Sequence, residues 1–558
     1  MTARSTGLGL LFLVASTGAG PARAETSQHP SLVLWITVDQ LRGDMPDRYL
    51  PAAAEGGFRR LARRGVSFAN AHYRHATTFT AVGHAALFTG GEVAQHGIAS
   101  NDWYDIAERR DIDAVQDDVH PLIGRPPARG KGFSPANLTS TTILDEIVLA
   151  SAGRARAFSV SAKDRGAILP AGRMGKAFWY SKDSGEYVTS TFYYREYPAW
   201  AKRWNDARPV ERYREAVWSL KDGPETYLHR DRDDRPCEKG YKHLARTFPH
   251  ALATDTREDF FSAVAYTPFS DELTLEFALA ILEHEQLGRR GETDALAVSL
   301  SATDLVDHVW GVESLEAEDN LRRVDAVLAR LLQAVDRHVG LDRTLIVLAS
   351  DHGTDEVPEC TAAYGLPAGR HDSKKFMRSL NDALRARFRT DCDLVTIFWN
   401  PSLYLDLDAI ARRNLDLVAG ERALADEVLK LPGFARAMTR TDLLTGRVPD
   451  DPVARRVQAS FHPTRSGHVM VVPSQFWYLY HDPNAYAAIH GTPWSYDTFV
   501  PVIVAGPGIR PQRVRRTIAP ECVAPTVAAF LGIKPPSGCT AEVLPEALPD
   551  PSPAHGKP

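Results

Sequence analysis

The sequence predicts an α/β protein with a mostly parallel sheet flanked by helices, and three observations lead to this prediction. Strand-like apolar runs alternate with amphipathic segments of helical period along the chain. Three of these runs, LVLWITVD, ALAVSLSATD and TLIVLASDH, end directly at carboxylate or imidazole side chains. Ligands bind an open α/β sheet at the carboxyl ends of its strands, so these side chains are expected to meet there.

The predicted elements follow one another in order along the chain. The apolar run from Ser31 to Asp39 predicts a strand buried on both faces. FRRLARRGVSFANAHY predicts a short helix, a glycine stop and a strand, and TFTAVGHAALFTGG predicts a helix ending at Gly90. SPANLTSTTILDEIVLASAG predicts a helix capped by Gly153. RARAFSVSAKDRGAILPAG predicts a strand leading into a polar turn, and TFVPVIVAGPGI a strand followed by a turn.

The candidate ligands extend from Asp39 to His490, which favours one large catalytic domain over residues 25–540. Two long stretches, about 172–290 and 356–480, interrupt the alternation and are interpreted as insertions that cap the crevice. The first contains a predicted hairpin, AFWYSKDSGEYVTSTFYY. The Pro-rich end, residues 541–558, predicts a disordered tail.

The first 24 residues are typical of a secretory signal peptide. A basic start precedes the short apolar stretch GLGLLFLVAS, and Ala22-Arg23-Ala24 fits a cleavage site after Ala24. No apolar run of the sequence reaches the length of a membrane span, and no cysteine follows the apolar stretch as a lipid anchor would require. The sequence therefore predicts a soluble exported protein, periplasmic or secreted.

Composition gives no support to two kinds of partner. Apolar residues make up 44% of the 558 residues and can build a large core, while a net charge of -5 does not favour nucleic-acid or membrane-surface partners. The sequence leaves the oligomeric state open.

The five cysteines lack CxxC spacing, so they do not indicate a structural zinc site. Cys522 and Cys539 could close one loop, but buried unpaired thiols fit equally well. The odd number leaves at least one thiol free. The remaining cysteines are Cys237, Cys360 and Cys392.

Seven residues are candidates for metal ligands. They are Asp39, Thr80, Asp304, His308, Asp351, His352 and His490. Carboxylates and imidazoles with one hydroxyl suit a two-metal hydrolytic centre. Asp304 and His308, four residues apart, share one face of a predicted helix, and Asp351 and His352 point to opposite sides of an extended chain. Taken singly, these residues also fit a helix cap, a turn or a loop.

Thr80 is a candidate nucleophile at a predicted helix N-terminus, with Thr77 and Thr78 as alternatives.

Lys163 and Arg165 alternate at the end of a predicted strand, so both would face one phosphoryl group, although two solvated charges remain an alternative. Asn101 could add a neutral donor, or serve only as a turn residue.

The chain resembles the alkaline phosphatase superfamily, and within it the bacterial branch with a threonine nucleophile, the PafA- and PhoK-like phosphatases. The resemblance covers most of the chain and rests on VDQLRGD, TFTAVGH, QHGIASNDWYD, SAKDRGAILPAG, SATDLVDHVWG, SDHGT and HGTPWSYDTFVPVIVAGPGI. It is most specific in SAKDRGAILPAG and NDWYD.

The resemblance implies two zinc ions. Asp304, His308 and His490 would hold one of them, and Asp39, Asp351, His352 and the Thr80 oxygen would hold the other. It also implies that Asn101, Lys163 and Arg165 bind the nonbridging phosphoryl oxygens. The sequence leaves open whether an extra structural Ca²⁺ or Mg²⁺ is present.

We therefore expect an alkaline phosphatase that hydrolyses small phosphate monoesters through a covalent phosphothreonine. A phosphodiesterase or nucleotide pyrophosphatase with the same metals is the first alternative, and it would benefit less from Lys163 and Arg165 because a diester carries one charge on the transferred group. A zinc- or phosphate-binding protein without turnover is a more distant alternative. A sulfatase is disfavoured because no cysteine lies in a C-x-P-x-R context.

Overall fold

A nine-stranded sheet forms the centre of the fold in the computed structural model, which describes residue 2 and residues 29–50, 55–126, 130–480 and 482–549. In chain order its strands are β1 (Leu32–Val38), β2 (Gly65–His72), β3 (Ala157–Ser161), β4 (Lys176–Tyr180), β5 (Tyr187–Val188), β6 (Asp294–Leu300), β7 (Thr344–Ala349), β8 (Phe499–Ala505) and β9 (Gln512–Val514). Across the sheet their order is β9-β2-β8-β7-β1-β6-β3-β4-β5.

Most neighbours in this sheet run parallel. The parallel pairs are β7–β1, β1–β6, β6–β3, β3–β4 and β2–β9, and the antiparallel pairs are β2–β8, β8–β7 and β4–β5. The predicted fold class is confirmed. Because β7, β1, β6 and β3 are adjacent and parallel, their carboxyl ends lie at one edge of the sheet.

Alternating side chains of the central strands build a core on each face of the sheet. Leu34 and Ile36 of β1 belong to a cluster with the helices Phe269–His284 and Leu315–His338. Val33 and Trp35 belong to a second cluster, to which the helices Thr80–Thr89, Ile143–Ala150 and Val523–Leu531 contribute. Every residue of β1 is buried, as a strand covered on both faces requires.

The other described elements surround this core. The remaining α-helices are Met45–Tyr49, Gly57–Ala62, Val93–His96, Asp164–Ala171, Ala199–Asp206, Arg257–Ala265, Ala302–Trp310, Pro358–Ala363, Ser373–Phe388, Leu407–Arg412, Leu417–Val428, Arg440–Thr445, Pro452–Ala459 and Ser495–Thr498. Short 3₁₀ helices span Pro209–Tyr213, Pro224–Thr226, Leu341–Arg343, Pro520–Cys522 and Pro545–Ala547. Two-stranded pairs join Asp102–Asp105 to Arg110–Asp113, Gln116–Pro121 to Gly132–Phe133, Val217–Trp218 to His250–Ala251, and Gly369–Arg370 to Trp477–Tyr478.

The boundaries predicted for the first insertion, about 172–290, need correction. The predicted hairpin is β4–β5, with Trp179 opposite Val188, and it extends the central sheet. The helix Phe269–His284 also packs on the sheet core. The inserted segment is therefore shorter than predicted. The hairpin before the polar region and the helix after it both belong to the core, and the polar sequence between them gave no sign of this.

The second predicted insertion, about 356–480, contains a separate four-stranded antiparallel sheet. Its strands lie in the order Val395–Trp399, Ser402–Leu405, Val469–Pro473, Phe434–Thr439. An apolar cluster of its own, which includes Phe376 and Leu424, supports this sheet.

One disulfide joins the two inserted regions. Cys237 is bonded to Cys360, while Cys392, Cys522 and Cys539 are free thiols. The loop suggested between Cys522 and Cys539 is therefore not closed by a disulfide. Sequence spacing alone could not identify the pair, because the bonded residues lie 123 positions apart.

Two predictions concern the ends of the chain, the signal peptide and the Pro-rich tail. The predicted signal peptide, residues 1–24, lies outside the described residues except for residue 2. The predicted tail, 541–558, needs correction over residues 541–549, where Leu544 and Ala547 are buried in the core. The Leu544 amide donates to Thr526 Oγ1 at 2.8 Å, which fixes the segment despite its prolines. Among the described helices, none combines the length and apolar character that crossing a membrane needs.

Candidate active site

Four adjacent strands bring charged side chains to one edge of the sheet. Asp39 follows β1, Asp351 follows β7, and Asp304 lies in the first turn of the helix Ala302–Trp310, which follows β6. Lys163 follows β3. The three carboxylates are buried almost completely, so together they form an unusually charged site within the core.

Asp304, His308 and His490 form the first group of candidate metal ligands. The Nε2 atoms of His308 and His490 lie 3.4 Å and 3.5 Å from Asp304 Oδ1. The helix provides the first contact, because residues four apart share one face. His490 comes from the loop before β8 and so converges from a distant part of the chain.

Asp39, Asp351 and His352 form the second group. His352 Nε2 lies 3.7 Å from Asp39 Oδ1, 3.6 Å from Asp351 Oδ2 and 3.4 Å from Thr80 Oγ1. The Thr80 hydroxyl therefore lies beside the second group. Thr78, one of the two alternatives, donates its hydroxyl to the Thr492 carbonyl instead.

The arrangement of both groups fits bound metal ions. Each imidazole donates its Nδ1 hydrogen to a backbone carbonyl, of Ala488 for His308, Thr78 for His490 and Gly353 for His352. A carbonyl can only accept, so Nδ1 carries the hydrogen and the Nε2 lone pair remains available. Ligand atoms about 2.0–2.1 Å from a tetrahedral ion lie about 3.3 Å from one another, close to the separations found here.

The carboxylates also lack the partners that buried oxygens normally have. Asp39 Oδ1 and Asp304 Oδ1 accept no hydrogen bond from any described residue. Burial, and then the neighbouring Asp351, raise the pKa of Asp39. A divalent cation would compensate these charges and supply the missing partner.

Burial also favours the neutral form of two imidazoles of the site, His352 and His490. It lowers the pKa of His352 to about 3 and lowers the pKa of His490 as well. A neutral imidazole is the form that binds a metal, so these ligands need not lose a proton near neutral pH.

Thr80 occupies the N-terminus of the helix Thr80–Thr89. The Ala81 amide in its first turn donates to Asn101 Oδ1 at 2.9 Å, so Asn101 is held beside Thr80. Lys163 Nζ lies 3.4 Å from Thr80 Oγ1, 2.7 Å from Asp39 Oδ2 and 2.5 Å from Asp304 Oδ2. One ammonium group therefore contacts a carboxylate of each ligand group and the threonine hydroxyl.

The strand-end geometry predicted for Lys163 and Arg165 is wrong. The strand β3 ends at Ser161, Lys163 is the N-cap of the helix Asp164–Ala171, and Arg165 lies in its first turn. A helix start replaces the predicted polar turn. The Arg165 guanidinium is 3.6 Å from Asp164 Oδ1, and its buried Nε donates to no described residue. Arg165 thus retains donor capacity for a further acceptor.

Sequence reasoning missed His84, which supports the second ligand group. His84 Nδ1 lies 3.1 Å from Asp351 Oδ2 and 2.9 Å from the Thr80 carbonyl oxygen, and Nε2 lies 3.0 Å from Ser299 Oγ. The available signal was its position four residues after Thr80 on a helix that is buried throughout.

The sheet edge, the two ligand groups and the threonine between them define a candidate two-metal hydrolytic centre on an α/β sheet. Comparison with known proteins agrees with a hydrolase on this fold. Residues 33–493 match the family described as type I phosphodiesterase / nucleotide pyrophosphatase. Alkaline phosphatase PhoV of Synechococcus elongatus is 32% identical, over 94% of this chain and 94% of its own length.

Alkaline phosphatase PafA of Elizabethkingia meningoseptica is 31% identical, over 96% of this chain and 98% of its own. The crystal structure of wild-type PafA matches with a TM-score of 0.85 and 30% identity, covering 93% of this chain and 99% of that one. A murine ectonucleotide pyrophosphatase / phosphodiesterase, with a TM-score of 0.52 and 12% identity, shares the fold alone. The chain belongs to the type I phosphodiesterase / nucleotide pyrophosphatase family, among its PafA-like alkaline phosphatases.

A second PafA crystal structure carries four substitutions, at a threonine, an asparagine, a lysine and an arginine. These residues follow one another at the same spacing as Thr80, Asn101, Lys163 and Arg165 in this chain.

Proposed function

We propose that this phosphatase is a zinc-dependent alkaline phosphatase that hydrolyses small phosphate monoesters through a covalent phosphothreonine on Thr80. The observation that supports this most directly is the position of the Thr80 hydroxyl, 3.4 Å from His352 Nε2 and 3.4 Å from Lys163 Nζ. A hydroxyl placed between a metal-ligand group and a cation is the arrangement that activates a weak nucleophile.

Two zinc ions would be held by the first group, Asp304, His308 and His490, and by the second group with Thr80. When bound, they would supply Lewis acidity towards alcohol and phosphoryl oxygens. The imidazole and carboxylate ligand set suits zinc, because hard all-oxygen sites are the ones that favour Ca²⁺ or Mg²⁺.

In the proposed reaction, the Thr80 oxygen attacks phosphorus in line with the departing alcohol. The bond between Thr80 Oγ1 and phosphorus forms as the ester bond breaks; the Thr80 hydroxyl loses its proton, and the departing alcohol takes one up. Water then attacks the phosphothreonine, releases inorganic phosphate and restores the Thr80 hydroxyl. The positive end of the dipole of the helix Thr80–Thr89 favours negative charge on the Thr80 oxygen throughout.

Lys163, Arg165 and Asn101 are proposed to hold the phosphoryl group. The Lys163 ammonium contacts the carboxylates of Asp39 and Asp304, and bound zinc would compensate those charges and leave the ammonium available to a phosphoryl oxygen. Arg165 has a free buried donor, and Asn101 is fixed by the Ala81 amide with its side-chain amide still able to donate. The matching spacing of the four residues substituted in PafA supports these roles.

A phosphodiesterase activity is the alternative, and the family description favours it as a second candidate. The two classes differ in charge: a monoester carries two negative charges on the transferred group and a diester one. The paired cations Lys163 and Arg165 therefore favour the monoester.

The test is a comparison of kcat/KM for an aryl phosphate monoester and the matching diester, with zinc-loaded protein. We expect a strong monoester preference that shrinks by about a hundredfold or more in Lys163→Ala/Arg165→Ala, since each charge-assisted contact contributes about 1.5–3 kcal/mol. The control is Lys202→Ala, whose exposed side chain pairs with Asp206 on the surface. Preference of the native protein for the diester would contradict the monoesterase proposal, and absence of turnover would favour a binding protein.

We also propose that the protein is exported and cleaved after Ala24. The disulfide between Cys237 and Cys360 supports an oxidising compartment, since disulfides are rare in the cytosol. The intact mass of protein recovered from the periplasm or medium tests this. It is expected to match a chain beginning at Glu25, and retention of residues 1–24 would contradict the proposal.

A further inference from the structure

An open cavity of about 600 Å³ has no role in the proposed reaction. Its walls come from three parts of the chain: the end of β2, the helix Pro452–Ala459 of the second inserted region, and the segments around Thr517 and Val543. Among the described residues that line it, none is a candidate metal ligand or phosphoryl-binding residue. A cavity of this size at the junction of separate segments can hold a small organic molecule.

The charged residues of this cavity are predominantly basic. Four arginines and two glutamates line it, namely Arg74, Arg455, Arg456, Arg516, Glu92 and Glu542. Arg74, Arg455 and Arg516 each pair with a carboxylate. Within the described part of the chain, Arg456 makes no ion pair. Its charge therefore remains available to an anionic ligand.

Hydrogen bonds hold Arg456 in place and leave its terminal nitrogens free. Its Nε donates to the Tyr73 carbonyl oxygen at 3.2 Å, and its own carbonyl oxygen accepts from the Ala76 amide at 3.1 Å. One turn further along, Ser460 Oγ accepts from the amides of Ala76 and Thr77 at 2.6 Å and 3.1 Å. The nitrogens Nη1 and Nη2 of Arg456 donate to no described residue. A guanidinium fixed through Nε can present both of them to one carboxylate.

The charge of Arg456 is only partly compensated by its surroundings. Burial lowers the pKa of Arg456, and the charge of Glu521 offsets this effect in part. Glu521 is engaged elsewhere, because its Oε1 accepts from the Arg74 amide at 3.0 Å and lies 3.4 Å from His75 Nδ1. Burial raises the pKa of Glu92, which reduces the repulsion between Glu92 and an anion. A half-buried guanidinium with no carboxylate in contact gains from an anionic partner.

The rest of the wall decides which anion fits. Five apolar residues contribute to it, namely Pro452, Ala459, Ile518, Val543 and Leu544. Inorganic phosphate has no apolar part that could contact them. An organic acid can bury a hydrocarbon body against these residues while its carboxylate meets Arg456, so both kinds of surface are used.

We propose that this cavity is a binding site for a small organic carboxylate with an apolar body, such as an aromatic acid, and that Arg456 anchors the carboxylate. The site is separate from the catalytic centre and its ligand is not a substrate, so the inference does not rest on the proposed reaction. Arg456 also contacts the segment Tyr73–Thr77, which leads to Thr80. A ligand bound to Arg456 therefore stabilises the fold at this junction.

The test is calorimetry of benzoate binding to the zinc-loaded protein, with excess methylphosphonate present to compete for the catalytic centre. The native protein is expected to bind benzoate and not the neutral analogue benzamide. In Arg456→Met, which keeps the aliphatic stem and loses the charge, affinity for benzoate should fall about tenfold or more. Arg440→Met is the matched control, because Arg440 is also half-buried but donates to the carbonyls of Ser466 and Pro463, outside the cavity.

A second variant leaves Arg456 untouched and so separates loss of the site from loss of the fold. Val543→Trp enlarges an exposed side chain of the wall and should block benzoate, while turnover of an aryl phosphate stays unchanged. Thermal unfolding gives an independent readout. Benzoate should raise the Tm of the native protein and of Arg440→Met, but not that of Arg456→Met or Val543→Trp.

Three results would overturn the inference. They are absence of benzoate binding by the native protein, equal affinity for benzamide, and unchanged benzoate affinity in Arg456→Met or Val543→Trp. Displacement of benzoate by methylphosphonate would place the ligand at the catalytic centre and overturn it as well. The proposed phosphatase is judged separately, because its own test is the turnover of esters.

Discussion

The three histidines of the site share one hydrogen-bonding pattern. His308, His352 and His490 each direct Nδ1 at a backbone carbonyl and Nε2 into the site. Local patterns predicted His308 and His352, because each follows a strand-like apolar run, whereas His490 lies in a loop and was predicted from the family resemblance. The sequence could not predict this orientation, since the accepting carbonyls of Ala488 and Thr78 belong to loops far away in the sequence.

His84 is expected to control how firmly the second ligand group holds its metal. Its ring lies 3.1 Å from Asp351 Oδ2, so His84→Gln should lower zinc affinity by about 10–100-fold, the usual effect of removing a group that orients a ligand. Competition with a chelator measures this.

The control for that experiment is His96→Gln, a buried histidine whose Nδ1 accepts from the Ile98 amide. It should leave zinc affinity unchanged. Equal zinc affinity in His84→Gln and the native protein would show that His84 does not orient Asp351.

At the scale of single elements, the helix Thr80–Thr89 approaches the end of β7 unusually closely. A Cβ atom at Gly83 would lie 2.1 Å from the Asp351 carbonyl oxygen. This is a steric clash that only a movement of the backbone can remove. The contact sets the position of Thr80 relative to the second ligand group. Sequence reasoning identified the helix and its Gly90 end, but a close approach between distant segments leaves no local pattern.

Gly83→Ala is therefore expected to displace Thr80. Because a shift of about 1 Å can cost about a hundredfold in rate, kcat/KM for an aryl phosphate should fall by about that factor, and stability by about 1–3 kcal/mol. Kinetics and thermal unfolding measure the two effects.

Gly420→Ala is the matched control, because Gly420 is also helical and its added Cβ would meet Ile410 Cδ1 at an ordinary 3.4 Å. It should be neutral for activity and stabilise the protein by up to about 1 kcal/mol. Native activity in Gly83→Ala would contradict the view that this contact positions the nucleophile.

The element containing Lys163 and Arg165 shows where local patterns mislead. The alternation of SAKDR predicts the end of a strand, yet the helix begins at Asp164. Both cations nevertheless lie at the carboxyl end of β3, because a helix N-terminus follows the strand there. Lys163 and Arg165 were thus predicted from alternation along a strand, whereas the structure places them at the start of a helix.

At the scale of the whole molecule, the sequence predicted the layered sheet well, because buried parallel strands appear as uninterrupted apolar runs. It did not predict the extent of the insertions, since β4 and β5 join the sheet through pairings that no local signal specifies. Two further features have no local signal because they depend on the assembled fold. They are the bond between Cys237 and Cys360 and the packing of Leu544.

The whole-molecule arrangement also explains why distant residues act together. Four strands from separate parts of the chain end at one edge, and the loop before β8 adds His490. The sheet register therefore fixes the separation of the ligand groups. The family match over residues 33–493 spans the same range of contributing segments.

The central claim, a phosphothreonine at Thr80, is tested most directly by mass spectrometry of protein quenched in acid during turnover of an aryl phosphate. The account predicts one added phosphate on the peptide containing TTFTAVGH, located at Thr80, and none in Thr80→Ala, whose turnover should be largely lost. Phosphate on Thr77 or Thr78, or turnover that persists unchanged in Thr80→Ala, would contradict it.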